Sequence, residues 1–278
     1  MELKDALESA VDHQRNGRPD QAETIYRRIL AEVPDHPDTL HLLGRALHQQ
    51  GKSAEGLEIL GRAIGANPTA ASYHNSMGVV RRELGRGQEA VESFRRATEL
   101  DPDNADAFFN LGNALRSLAH PDDAEAAYKH SLALRPQNAD VLNNLGTLLT
   151  EAGRHEEAHD HLRAATRIAP DDPLIQINLG VVLKSQDRFD EATEILEQAA
   201  ALAPDVPEAH YNLGKALVGQ AREQAAKAAF EKALDLDPNY ADASTNLGAV
   251  LMQMGQPRDA VPCFRRVVEL HPGQEEAH

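Results

Sequence analysis

Residues 105–138 read ADAFFNLGNALRSLAHPDDAEAAYKHSLALRPQN. Apolar residues fall at Phe108, Leu111 and Leu115, and again at Ala124, Tyr128, Leu132 and Leu134. Spacings mostly of three or four put each set on one face of a helix. The first helix covers roughly positions 1–14 of the stretch and the second roughly 18–31, each about 20 Å long at the helical rise per residue. Pro136 stops the second helix, because the residue before a proline avoids helical backbone angles. The pattern recurs along the whole chain. Prolines stand 34 residues apart at Pro34, Pro68, Pro102, Pro136, Pro170, Pro204, Pro238 and Pro272, and glycines keep the same step at Gly44, Gly78, Gly112, Gly146, Gly180, Gly214 and Gly248. A period between about 20 and 50 residues marks a stack of small units. The sequence thus predicts an all-α solenoid of eight 34-residue helix-turn-helix repeats: 3–36, 37–70, 71–104, 105–138, 139–172, 173–206, 207–240 and 241–274. It reads as a single array over residues 1–278, although that length would also suit two globular domains.

The punctuation agrees with the period. Pro37, Pro173 and Pro207 open first helices and Pro19, Pro121 and Pro257 open second helices, where a missing N–H costs nothing. Gly17, Gly51, Gly85, Gly153 and Gly255 fall in the turn between them. Glycine inside a helix costs about 0.5–1 kcal/mol relative to alanine, so the column at repeat position 8 needs a compensating gain. The expected gain is close approach of the two helices over small residues at positions 20 (Ala22, Ala90, Ala124, Ala158, Ala192, Ala226, Ala260) and 27 (Ala63, Ala97, Ser131, Ala165, Ala199, Ala233). Pro262 falls inside the last second helix, where a kink is expected.

Leu-Gly at positions 7 and 8, Ala at 20, an aromatic residue or Leu at 24, Ala at 27 and Pro at 32 resemble the tetratricopeptide repeat (TPR), over repeats two to eight. The resemblance implies a right-handed superhelix whose first helices line a concave groove while the second helices face outward. Departures are few: no tryptophan at position 4, Gly56 in place of Ala, and Arg81 where a large apolar residue is usual.

Twenty-eight Lys and Arg against 44 Asp and Glu give a net charge of −16. That balance argues against nucleic acid, which is bound by neutralising phosphates, and against an anionic membrane surface. No apolar run reaches a membrane span of about 18 residues, the start MELKDALESA does not read as a signal peptide, and Cys263 is the single cysteine. A soluble, cytoplasmic protein is the expectation. Repeat one has Ser9 and Ala10 in place of Leu-Gly and a very polar first helix, as a terminal cap requires. The last four residues, Glu275 to His278, align with Pro207 to His210, so a ninth repeat is expected to begin there and break off. An uncapped final helix bearing Phe264, Val267 and Val268 then invites self-association.

Little points to catalysis, and no cofactor or metal is expected. His155-Glu156-Glu157-Ala158-His159 matches the H-E-x-x-H zinc motif, but it lies at positions 17–21, where the repeat itself favours acidic residues followed by alanine. Gly51-Lys52-Ser53 resembles the end of a phosphate-binding loop, yet Ala46 stands where that motif needs glycine. Cys263 has no histidine in a repeatable geometry to activate it.

Two columns look functional. Asn110, Asn144, Asn178, Asn212 and Asn246 occupy position 6, one carboxamide per repeat, each offering a donor and an acceptor to the backbone of an extended peptide. Such ladders resemble those of the peptide-binding superhelix in O-linked N-acetylglucosamine transferases. Arg45, His48, Arg82, Arg116, Lys184 and Lys215 at positions 9 and 12 share the groove side, while many acids lie on second helices. A preference for acidic or phosphorylated segments is expected. The function expected is therefore a non-catalytic protein–protein interaction scaffold. The alternative implied by the resemblance is the substrate-recognition arm of a larger glycosyltransferase with its catalytic domain beyond residue 278.

Overall fold

The computed structural model describes residues 3–270. Two compact units divide the chain at Pro136. The first holds α1 (Leu3–Arg15), α2 (Pro19–Glu32), α3 (Pro37–Gln49), α4 (Ser53–Ala66), α5 (Ala71–Glu83), α6 (Gly87–Leu100), α7 (Ala105–Ser117) and α8 (Pro121–Leu134). The second holds α9 (Ala139–Glu151), α10 (His155–Ile168), α11 (Pro173–Ser185), α12 (Phe189–Leu202), α13 (Pro207–Gly219), α14 (Glu223–Leu236), α15 (Ala241–Gln253) and α16 (Pro257–Leu270). These sixteen helices make eight repeats, with no strand among the described residues. Pro272 and residues 275–278, on which the expected ninth repeat rests, lie outside the described residues.

Within each unit every first helix packs on its own second helix, and every one after the first also packs on the second helix of the preceding repeat. First helices also touch one another: α1, α3, α5 and α7 in the first unit, and α9, α11, α13 and α15 in the second. Side chains from successive repeats therefore meet on the first-helix layer.

The glycine column makes room for a partner beyond the small residues its spacing suggested. A Cβ on Gly112 would lie 2.6 Å from the Tyr128 ring, and one on Gly214 would lie 2.5 Å from the Phe230 ring. Leu60, Phe94, Leu162, Leu196 and Phe264 fill the same place over the other glycines. Position 8 is thus a socket for the large side chain at position 24 of the same repeat. The alanines at position 20 are fully or almost fully buried beside it. In repeat two the small residue there is Gly56, where a Cβ would meet the Gly44 carbonyl oxygen at 2.8 Å. Repeat one runs the socket with Ala10 under Tyr26, both fully buried.

The turns contain a feature the spacing did not show. Gly17, Gly51, Gly85, Gly153 and Gly255 have φ between 70° and 78°, but Ala119, Asp187 and Ala221 hold the same turn with φ of 58°, 57° and 53°. A side chain in that region costs about 1–2 kcal/mol. Ala221→Gly is expected to stabilise the second unit by about 0.5–1 kcal/mol, part of the relief being offset by the greater freedom of glycine in the unfolded chain. A raised Tm checks it, and an unchanged or lowered Tm counts against strain at this turn.

Several first helices, α3, α7, α9 and α11, are capped from repeat position 34. Asn104 Oδ1 accepts from the Ala107 amide at 3.0 Å, Asn138 Oδ1 from Val141 at 3.2 Å, and Asp172 Oδ1 from Leu174 and Ile175 at 2.9 and 3.2 Å. α16 continues through Pro262 to Leu270, so the proline does not end the helix, although its ring removes one intrahelical donor. Phe264 and Val268 on α16 are exposed and Val267 is half-buried.

Candidate functional site

In the first unit the first-helix layer carries a hollow of about 620 Å³ between α3 and α5. Arg45, His48, Ser72, Asn75, Ser76 and Glu83 stand among its walls, with His41 at its base. His41 stacks on Tyr73 with ring centroids 4.6 Å apart, and its Nε2 lies 2.8 Å from Ser76 Oγ. The Tyr73 hydroxyl donates to Asp38 Oδ1 at 2.5 Å. Burial, reinforced by the nearby Arg45 charge and opposed by Asp38, pushes the His41 imidazole down to about 4. It is neutral at pH 7 and serves as an uncharged floor. His48 is fully engaged: Nε2 is 2.8 Å from Glu83 Oε2 and Nδ1 is 2.9 Å from Ser53 Oγ. Arg45 is exposed at the rim and is the cation this hollow presents. Arg82, one repeat further on, is half-buried and does not line the hollow, and Arg116 has a partner of its own.

The asparagine column forms a seam between repeats. Position 5 of one repeat faces position 6 of the next, 35 residues on. His41 meets Ser76 in this register, Asn110 Nδ2 donates to Asn75 Oδ1 at 3.1 Å, and Asn178 Nδ2 donates to Asn143 Oδ1 at 2.8 Å. Asn246 hydrogen-bonds Tyr211 in the same register. Asn212 Nδ2 and Asn246 Nδ2 also donate to backbone carbonyls one turn back in their own helices, Glu208 at 3.0 Å and Asp242 at 2.7 Å. Asn144 is partnered too. The column is half-buried except at Asn212, which is buried. One N–H of each of Asn110, Asn178, Asn212 and Asn246 is thus committed inside the protein. An amide nitrogen carries two hydrogens and its oxygen two lone pairs, so the commitment halves the donors rather than removing them.

The two columns, separate in the sequence, join in the second unit. Lys184 Nζ, part-buried, donates to Asn212 Oδ1 at 2.8 Å. Lys215 Nζ stands 5.6 Å from the centroid of the Tyr211 ring. Burial, with help from the like charge of Lys215, brings the Lys184 ammonium down to about 7.

The partners that the periodicity did not mark are Asn75, Asn143, Ser76, Tyr73 and Tyr211. A search at a step of 35 would have paired most of them, because the seam joins adjacent positions of adjacent repeats.

Ion pairs join second helices of the first unit. Glu23 accepts from Lys52 Nζ at 2.9 Å, Arg27 Nε at 2.7 Å and Gln50 Nε2 at 2.9 Å. Its own desolvation would raise the carboxyl, but those bonds outweigh it and bring Glu23 down to about 2. In the H-E-x-x-H stretch, His155 opens α10 and His159 is buried, with Nδ1 3.6 Å from Asp160 Oδ1. Among the described residues no group of three or more His, Cys, Asp or Glu side chains could hold a metal ion. No helix among them is long and apolar enough to cross a membrane.

A family model described as the C-terminal domain of cilia and flagella-associated protein 70 matches residues 3–212, and a second, described as tetratricopeptide repeat, matches residues 217–278. The chain belongs to the tetratricopeptide repeat family. TPR arrays are protein-interaction scaffolds, and the chain is assigned to that class. No curated protein gives a match to the sequence. Among solved structures it is similar to the APC/C hetero-tetramer Cut9-Hcn1, with TM-score 0.67 and 21% identity over 92% of this chain and 51% of that one, so it spans about half that chain's length. It is also similar to Pseudomonas aeruginosa pilF, with TM-score 0.64 and 24% identity over 74% of this chain and 94% of that one. A third, YrrB, described as a TPR protein with an unusual peptide-binding site, has TM-score 0.56 and 24% identity over 66% of this chain and 95% of that one. At these identities the likeness is one of fold.

Proposed function

We propose that the first-helix layer of each unit binds an extended peptide, held by backbone hydrogen bonds to the carboxamides of Asn110, Asn144, Asn178, Asn212 and Asn246. Arg45, Lys184 and Lys215 bias the choice toward acidic or phosphorylated segments. The observation that carries this reading is the hollow of about 620 Å³ between α3 and α5, on the helix layer where both columns lie. Its neutral floor at His41 and its cation at Arg45 suit a polar chain with a negative side group. YrrB, with its peptide-binding site, is consistent with the same use of the fold.

Peptides selected from an unbiased display library on the wild-type protein test the reading by fluorescence anisotropy. The triple variant Asn110→Ala/Asn178→Ala/Asn246→Ala, checked for folding by circular dichroism, is expected to bind them roughly tenfold or more weakly, the loss of one to three hydrogen bonds. Arg45→Ala is expected to weaken acidic members more than neutral ones. Equal affinities throughout would end the proposal.

A further inference from the structure

In the first unit the side chain at position 12 of repeat two, His48, meets an acid 35 residues on, Glu83 at position 13 of repeat three, at 2.8 Å. The residue at the same position of repeat six is Lys184, and 35 residues on stands Gly219, which the Phe189 ring covers so closely that no side chain fits there. The acid is missing from the register, and the ammonium takes the neutral oxygen of Asn212 instead, at 2.8 Å. A part-buried charge without a counter-ion is costly, because nothing offsets its loss of water.

None of the neighbouring acids fills the gap. From α13 the charged group acting on Lys184 is Lys215, a like charge, and Tyr211 beneath it is uncharged at neutral pH. At the start of α12, Asp190 accepts from Gln220 at 2.7 Å and Glu191 is held by Arg188 at 2.7 Å. On α10 Asp160 is close to His159, and Glu151 at the end of α9 is engaged by another residue.

We infer that Lys184 on α11 and Lys215 on α13, with Asn212 of α13 bonded to Lys184, form an anion site for one acidic side chain of a peptide lying along the first-helix layer of the second unit. The carboxylate supplies the counter-ion that Gly219 leaves out. The inference rests on the peptide-binding reading and adds a place, a chemistry and a proton. Because burial and Lys215 hold the Lys184 amine near neutrality when the site is empty, an arriving carboxylate restores its proton, and binding above pH 7 takes one up from solution.

Two acetylated, amidated nonapeptides test it, one alternating alanine with glutamate and one alternating alanine with glutamine, by calorimetry in buffers of differing ionisation enthalpy. The glutamate peptide is expected to bind with uptake of about half a proton or more at pH 7.5, the glutamine peptide with none. Lys184→Met is expected to abolish the uptake and to weaken the glutamate peptide roughly tenfold more than it weakens the glutamine peptide. Nitrogen-15 shifts of the Lys184 side chain report the same proton directly. Glutamine peptide binding with no preference for glutamate, or a preference that survives in Lys184→Met, overturns the anion site alone. Failure of both peptides to bind overturns the peptide reading as well. Inorganic phosphate reproducing the uptake and competing fully at equal concentration overturns the assignment of the anion to a peptide.

Discussion

Phe230→Ala is expected to destabilise the second unit by about 4 kcal/mol. Phe230 is fully buried, among Leu217, Leu247, Val250 and Leu251, and its ring lies 6.1 Å from that of Tyr211. Truncation loses the buried ring and leaves a cavity that helices fixed by three-residue turns close poorly. The more informative half of the experiment is Gly214→Ala. In the wild type its new methyl would sit 2.5 Å from a Phe230 ring carbon, an overlap expected to cost about 2 kcal/mol. In the Phe230→Ala background the methyl enters empty space, and alanine is the better helix former by about 0.5–1 kcal/mol. The same substitution therefore changes sign between backgrounds. Urea unfolding of the four proteins, followed by circular dichroism, gives the coupling. An equal cost in both backgrounds would mean that glycine is not there for the ring.

Lys184→Met is expected to stabilise the protein by about 3 kcal/mol at pH 7, against the usual run of core substitutions. The lysine drops from 10.5 to about 7 on folding, so below pH 10.5 the unfolded chain binds a proton that the folded chain resists. The penalty grows as pH falls from 10.5 toward 7 and is complete below that. Stability contributed by this group is accordingly present at high pH and lost as pH falls through the folded value. Methionine keeps much of the volume without the charge. Its advantage should be largest at pH 6–7 and fade toward pH 10, as read from urea midpoints across that range. A difference that does not vary with pH would show that the amine titrates normally in the folded protein.

Much of the architecture was legible because it is written at a single step. The 34-residue spacing of proline and glycine placed every helix within about a residue of where it lies. What the spacing could not show was which side chain answers which. Spacing alone matches Gly112 to the small residues of the second helix, whereas its neighbour is Tyr128, because position 24 projects from the second helix toward position 8. Ala119, Asp187 and Ala221 hid the turn from a reading that looked for glycine there. The asparagine and basic columns were visible as repeats, but Lys184 bonding Asn212 joins two columns across repeats at a step of 28, and no single period reveals it. His41 escaped notice because burial, not spacing, makes it unusual.

The socket beneath position 24 lies wholly inside one repeat, while the hydrogen-bonded seam joins position 5 to position 6 of the next. The lock that shapes a hairpin and the stitch that attaches it to its neighbour are thus carried by different residues. Leucine, phenylalanine and tyrosine interchange over the glycines. Unequal recombination that adds or drops one 34-residue cassette within a unit leaves every hairpin intact and breaks only a single junction. Length in such a gene is an easily inherited variable, and reach along a partner can be tuned before any side chain changes.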